Sequence, residues 1–598
     1  MRGHNNSHSL PQLSVISASG EEVEVTQPVI SPLTPQLAPT FRAQNQNLSP
    51  FWLSSAVELP QLPGYTSSST GPGQASSQAS PAMSMLHAAA ITGDVEGLDK
   101  LASGKFCDID LRDKFGRTPL MYGVLGNYPE CVEILLREGA QSGLRDSSGR
   151  TALHWAAHHG YAGAAKILIR SEQNSGAWEQ GDQAGVTVLH LAMRHDKAVL
   201  QLLVKKFNMK EKINILDINK RSPLHWACAL GNYDQAKIIS KLGADISLTD
   251  VEGKTGLHWA ATARCAEPRK LVKLLVNMKT GGRASSVASW QDYEGRQALQ
   301  LAVLSDNPEM VRALLGESSG LLDSVDHRSR TALHWAALRA NHCVLPLLEA
   351  GAAVDLRDET GASPAHLAVS SGQLSCAQLF LRSGHHDLLD SQGRTPLMWA
   401  VASGRQDMVE LFSEADLGTE DKVGWSALHI AVSNNLPASL AGLLGLGADI
   451  SLTNQQGETA LMVAARLGSQ ECAELLLQAG AEVNSLDPAG RSALTMASYG
   501  GHHELVVVLL DRGARVDQQD REGMCPLHWA VRQAHLETVR TLLDRGAFTN
   551  NIARLRPSKE AELVQLTPLD SAIMLELTEM IGLLQKYKVS PQSSPVQG

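Results

Sequence analysis

From residue 84 onward the apolar positions fall into short stripes of helical spacing, and the stripes come in pairs. In 113–140, DKFGRTPLMYGVLGNYPECVEILLREGA, Leu120 marks one apolar face, and Val132, Leu135 and Leu136 mark a second at i, i+3 and i+4. Turn chemistry separates them. Asp113 and Gly116 bracket a tight turn, where glycine accepts positive φ and aspartate bonds nearby amides. Thr118 is placed to cap the first helix, with Pro119 at its first position, where a missing N–H costs nothing. Gly126 is expected to end that helix in a left-handed cap, and Gly139 to close the second.

The same grammar recurs along the chain. The phrase TPLHWA or a relative begins at Ser84, Thr118, Thr151, Thr187, Ser222, Thr255, Gln297, Thr331, Ser363, Thr395, Ser426, Thr459, Ser492, Cys525 and Thr567. The spacing runs from 31 to 36, with two gaps of 42. A helix pair this small cannot bury its own apolar face, so neighbours must stack. A period near 33 with T-P-L-H-x-A resembles the ankyrin repeat. The expected fold is therefore all-α: an ankyrin-repeat solenoid of about fifteen helix-turn-helix repeats with β-hairpin turns, over residues 84–588. Residues 1–83 are rich in Ser, Gln and Pro and read as a disordered tail, as do 589–598. Phe51 and Trp52 stand out in the first tail as chance aromatics or a short linear motif. Extra residues at 171–182, 277–290 and 550–566 are expected to form loops at one edge.

Composition narrows the function. The net charge of −10 over 598 residues disfavours a nucleic-acid binder. Eight cysteines without a CxxC pair suit reduced, isolated thiols. The N-terminus shows no apolar signal region and no run of eighteen apolar residues occurs, so a cytoplasmic protein without membrane insertion is expected. No HExxH, Walker or zinc spacing appears, and no cofactor, metal or catalytic residue is expected. Histidine stands fourth in the phrase at His87, His154, His190, His225, His258, His334, His366, His429 and His528. One per repeat, these cannot converge on an ion, and a hydrogen bond tying neighbouring turns is the simpler role. The tryptophan that follows in many repeats tracks the core register.

The expected activity is therefore protein binding without catalysis. Arg117, Arg150, Arg221, Lys254, Arg296, Arg330, Arg394 and Arg491 each precede the cap residue. They form either a cationic stripe for an acidic partner or ion pairs with the turn aspartates of adjacent repeats. Trp425 stands at this same position and is either an exposed hot spot or folded on its neighbour. The candidate contact set is Phe115, Arg117, His158, His159, Tyr293, Arg296, Arg330, Arg339, Arg394 and Trp425.

DKFGRTPLMYGVLGN (113–127), DVEGKTGLHWAA (250–261), SWQDYEGR (289–296), DSQGRTPLMWA (390–400) and TPLDSAI (567–573), with the two long spacings, resemble the ankyrin array of the inversin family of ciliary scaffolds over about 85–585. The resemblance implies action at the primary cilium and cytoskeleton, binding of nephrocystins and Dishevelled, and a place in Wnt and developmental signalling. Inversins carry calmodulin-binding IQ motifs and a long tail after the repeats. No IQxxxR pattern occurs here, so calmodulin binding does not carry over, and a short form or relative is expected. A regulatory inhibitor or a substrate adaptor for degradation is the alternative use of the same groove. Asn484, in LLLQAGAEVNSLD, resembles asparagines hydroxylated in ankyrin repeats, with an ordinary turn role as the alternative.

Overall fold

The computed structural model describes residues 85–104, 108–171, 176, 178–207, 210, 212–278, 286–339, 342–382, 387–412, 415–555 and 564–589, with short backbone pairs at 15–16 and 22–23. The tails expected at 1–83 and 589–598, with Phe51 and Trp52, lie otherwise outside the described residues. In the first of them Val15–Ile16 pairs antiparallel with Glu22–Val23.

The chain divides into two compact units at Ala353/Val354. The N-terminal unit holds eight helix pairs, from Met85–Thr92 with Val95–Ser103 to Ala332–Arg339 with Val344–Glu349. The C-terminal unit holds seven, from Pro364–Ser370 with Leu374–Arg382 to Pro568–Met574 with Thr578–Val589. Within each unit first helices pack on first helices and second helices on second helices. The core is made of the phrase leucines and alanines, such as Leu153, Ala156 and Ala157, and of second-helix stripes such as Leu271, Val272 and Leu275. All-α stacking of ankyrin-type pairs therefore describes each unit.

The first helices begin where the sequence places their caps. Thr118 is extended and its Oγ1 accepts from Met121 N. Helix ends differ from expectation at one point. Gly126 has φ −74°, and the left-handed residue is Asn127, at φ 55°. A Cβ on Gly126 would lie 2.7 Å from the Tyr128 ring and 2.9 Å from Ile91 O, so glycine is needed there for close approach. At the tips of the turns Lys220 and Ser329 hold the positive φ that glycine holds in most repeats.

Each tip is closed by a single rung, as in Asp113 N–H to Arg117 O at 3.0 Å. The tips are also stitched to one another. Ser147 N donates to Phe115 O, Gln183 N to Ser148 O, Ile218 N to Ala184 O, Val251 N to Asn219 O, Tyr293 N to Glu252 O and His327 N to Glu294 O. The insertions are folded where they are described. Trp178 is buried and stacks on Phe207 at 4.9 Å. Val287 and Ala288 enter the core. Ala553–Leu555 pairs antiparallel with Val564–Leu566, and Arg554 N donates to Glu522 O, so this hairpin replaces a tip. No helix among the described residues is long and apolar enough to cross a membrane.

Candidate protein-binding surface

The turn aspartate organises each tip. In the tenth repeat Asp390 Oδ1 accepts from Gln392 N and Arg394 N, both at 2.8 Å. Its Oδ2 accepts from Arg394 Nε at 2.8 Å and from Trp399 Nε1 at 2.9 Å. Asp217 makes the same four bonds to Asn219, Arg221 and Trp226. Burial works against the charge of Asp390, but the amides, the indole and the guanidinium outweigh it and hold its carboxyl below the usual range. Asp520 has Met524 where Asp390 has Arg394, and there burial wins and its carboxyl is raised.

This network decides where the basic residues point. The charged ends of Arg221, Lys254, Arg330 and Arg394 lie over the tryptophans of their own repeats, 5.3–5.8 Å from the rings. Arg330 is only 5% exposed. Arg221, Arg296, Arg394 and Arg491 pair with the aspartate four residues earlier in the same repeat, and Arg150 with Asp182 of the next. The charges are thus turned inward, mostly onto their own turns. Arg339 lies elsewhere, at the end of a first helix, where Nη1 donates to Leu304 O.

The phrase histidines link repeats. Thr151 N donates to His154 Nδ1 at 3.2 Å, so the proton sits on Nε2, which donates to Gln180 O at 3.0 Å. His190, His225, His258, His366, His429 and His528 repeat the arrangement, donating to Arg221 O, Lys254 O, Arg296 O, Arg394 O, Glu458 O and Leu566 O. Burial pushes His154, His366 and His528 down to about 4, so they are neutral at pH 7. In the seventh repeat Gln300 does the same work: Oε1 accepts from Gln297 N and Nε2 donates to Arg330 O.

Three consecutive tips also present an apolar or aromatic residue outward, beside the exposed Glu252 and Glu294. Ile218, Val251 and Tyr293 occupy the residue after the turn aspartate in three consecutive stitched tips, and are 70%, 50% and 69% exposed. The Tyr293 ring lies against Gly253, where a Cβ would come within 2.6 Å. Ile218 and Val251 were absent from the sequence-derived set. Their signal is an apolar residue between the turn aspartate and the positive-φ position, outside every core register. Phe115 is partly exposed on its own tip, with Arg117 beside it.

Trp425 is half-buried and tilted against His429 at 6.4 Å. In that repeat the first helix carries Ile430 where others carry tryptophan, so the aromatic has moved from the helix to the hairpin, and Val423 is the exposed tip residue. Asn484 bridges two repeats: Nδ2 donates to Gly513 O and Oδ1 accepts from Arg515 N. Asp110, Asn214, Asp323 and Asp517 hold the next repeat's backbone in the same way.

The model of the family "Ankyrin repeats (3 copies)" matches eight overlapping stretches between residues 86 and 554. The chain is 33% identical to mouse inversin over 244 residues, which is 41% of this chain and 22% of inversin. The human inversin match has the same identity and coverage. The chain is also 27% identical over 303 residues to the E3 ubiquitin-protein ligase KEG of Arabidopsis thaliana, covering 49% of this chain and 18% of that protein. The matched part therefore spans about a fifth of the length of these relatives.

Proposed function

The chain belongs to the ankyrin-repeat family, and from that premise we propose that it is a non-catalytic scaffold that binds proteins along its tips. The observation that carries this reading is the row of Ile218, Val251 and Tyr293, held outward on adjacent tips while Arg221, Lys254 and Arg296 are turned in. Exposed apolar and aromatic side chains on a rigid backbone are what a partner can bury at low entropic cost. The partly exposed Phe115 adds an aromatic on a further tip of the same unit, and Arg339 and His159 lie at the ends of first helices.

The likeness to inversin supports a place at the cilium or cytoskeleton in Wnt-related or developmental signalling, with nephrocystins and Dishevelled as partners. A substrate adaptor for degradation is the second reading, favoured by the likeness to an E3 ubiquitin-protein ligase. Proximity labelling from the full chain separates them: ciliary neighbours support the first and ligase subunits the second. Replacing Ile218, Val251 and Tyr293 together by serine is expected to weaken co-purification of the recovered partners at least about tenfold, since each anchor is worth on the order of 1–2 kcal/mol. The melting temperature should stay near that of the parent, because none of the three is in the core. Undiminished partner recovery by the triple variant would remove the tips from the binding mechanism.

A further inference from the structure

Polar atoms without partners are not spread evenly through the molecule. Among the described residues, eight buried side-chain nitrogen or oxygen atoms lack a hydrogen-bond partner, and three of them, Arg117 Nε, His158 Nδ1 and His159 Nε2, surround one residue, Trp155. The Arg117 and Arg150 guanidinium groups lie 5.0 and 5.2 Å from its ring. The His158 and His159 rings are 5.9 and 6.0 Å away, and His159 also stacks on Tyr161. Both Arg117 and His158 are at least nine-tenths buried.

Both tips beside Trp155 depart from the common pattern. In the second repeat Tyr122 replaces tryptophan, and its hydroxyl donates to Asp113 Oδ2 at 2.8 Å. In the fifth and tenth repeats the corresponding oxygen accepts from the arginine and the tryptophan together. Arg117 lies against Phe115 and against Trp155 of the following repeat, beside the Tyr122 hydroxyl, and its Nε is left without a partner. The other two carboxylates nearby are already committed: Asp146 accepts from Ser148 N, Arg150 N and Trp155 Nε1, and Asp182 takes Arg150. Arg194 and His195 of the fourth repeat close the far side, with His195 Nε2 donating to His158 O at 2.6 Å. The result is a cluster of basic side chains in which Arg117 Nε, His158 Nδ1 and His159 Nε2 are buried without partners. Burial first, then Arg194, His159, Arg150 and His195, push His158 down to about 3. Burial, His195, Arg194 and Arg150 lower His159 as well. The cluster is open at one end, where His159 and Arg194 are half-buried and His195 is exposed.

We propose that Arg117, His158, His159 and Arg194 form a receptor for a carboxylate side chain on an acidic segment of a protein partner. The inference rests on the reading of the chain as a protein-binding scaffold and names the chemistry of one contact. Arg117 and His158 are its buried members and Arg194 and His159 its half-buried ones. A bound carboxylate supplies the acceptor that the local aspartates do not, in a setting where charge-assisted hydrogen bonds are strong.

The test uses the full chain and fluorescein-labelled octaglutamate, with octaglutamine as the uncharged control, followed by anisotropy at low ionic strength. Octaglutamate is expected to bind and octaglutamine not. Arg194→Met and Arg117→Met should each weaken binding about tenfold or more, as loss of one buried charge-assisted contact does. Lys205→Met, on the exposed face of the outer helix Lys197–Lys206, should leave it unchanged. Equal weakening by Lys205→Met would mean general attraction and overturn the site. So would binding unchanged in Arg194→Met at an unchanged melting temperature, and that variant decides the matter if Arg117→Met fails to fold. The site can fail in this assay while partners are still recovered through the tips; a chain that recovers no protein at all fails the scaffold reading instead.

Discussion

Asp390→Ala is expected to cost about 3–5 kcal/mol of stability, the range for removing one member of a buried ion pair. Four bonds go at once. Two backbone amides lose the acceptor that closes the turn, the Trp399 indole N–H is left buried, and the Arg394 guanidinium loses its carboxylate. The loss is much larger than a surface ion pair would give, because the Asp390 side chain is fully buried and that of Arg394 only 19% exposed. Hydrogen exchange should locate the effect at the tip and in Pro396–Ala402, with a lower urea midpoint for the C-terminal unit. Asp390→Asn should cost less, since the amide oxygen still accepts from the turn. The twelfth repeat shows what asparagine requires. Asn454 Oδ1 accepts from Gln456 N and Glu458 N, while Nδ2 donates to Glu458 Oε2, an acceptor in place of arginine. An Asp390→Ala chain with unaltered exchange at this tip would show that the turn closes without its carboxylate.

Acid is expected to unfold the repeats well before the carboxylates titrate. His154, His366 and His528 ionise near 4 when folded, against 6.5 when unfolded. Above pH 6.5 both states are neutral and these groups add no pH dependence. Between 6.5 and 4 the unfolded chain binds more protons, so stability falls as pH falls. At pH 4.5 each such histidine removes about 2.5 kcal/mol, and the loss levels off below 4. Urea midpoints at pH 7.5 and 4.5 measure it. His366→Gln should keep the fold, because Gln300 already fills this role with an acceptor and a donor that do not titrate. It should also remove one histidine's share of the acid loss. Equal midpoints at the two pH values would mean that these rings reach solvent.

Much of this was legible in the residues. The phrase histidine was expected to tie neighbouring turns, and its Nε2 does so while Nδ1 accepts from the cap residue of its own repeat. The pairing of arginine with turn aspartate was also in view, but as a bond between adjacent repeats. The structure makes it mainly a bond within one repeat, because the chain reverses at the tip and brings residues i and i+4 to the same side. The outward apolar row was missed for a related reason. Ile218 and Val251 lie in a turn, where no helical or strand period says which way a side chain faces.

The sequence by itself determined the repeat, the helix pairs, the caps and the core positions. These depend on residues a few places apart, and the hydrophobic period and turn chemistry express them directly. Only the tertiary structure decided which of many similar residues is different. Arg117 and Arg221 stand in the same place in the phrase, yet Arg221 is bonded to its aspartate and Arg117 lies over a neighbour's tryptophan. Asp217 Oδ2 accepts from both Arg221 and Trp226, whereas Asp113 Oδ2 accepts from the Tyr122 hydroxyl while Arg117 lies over Trp155. Which ring a guanidinium lies over is settled by distance in the folded molecule and not by order along the chain.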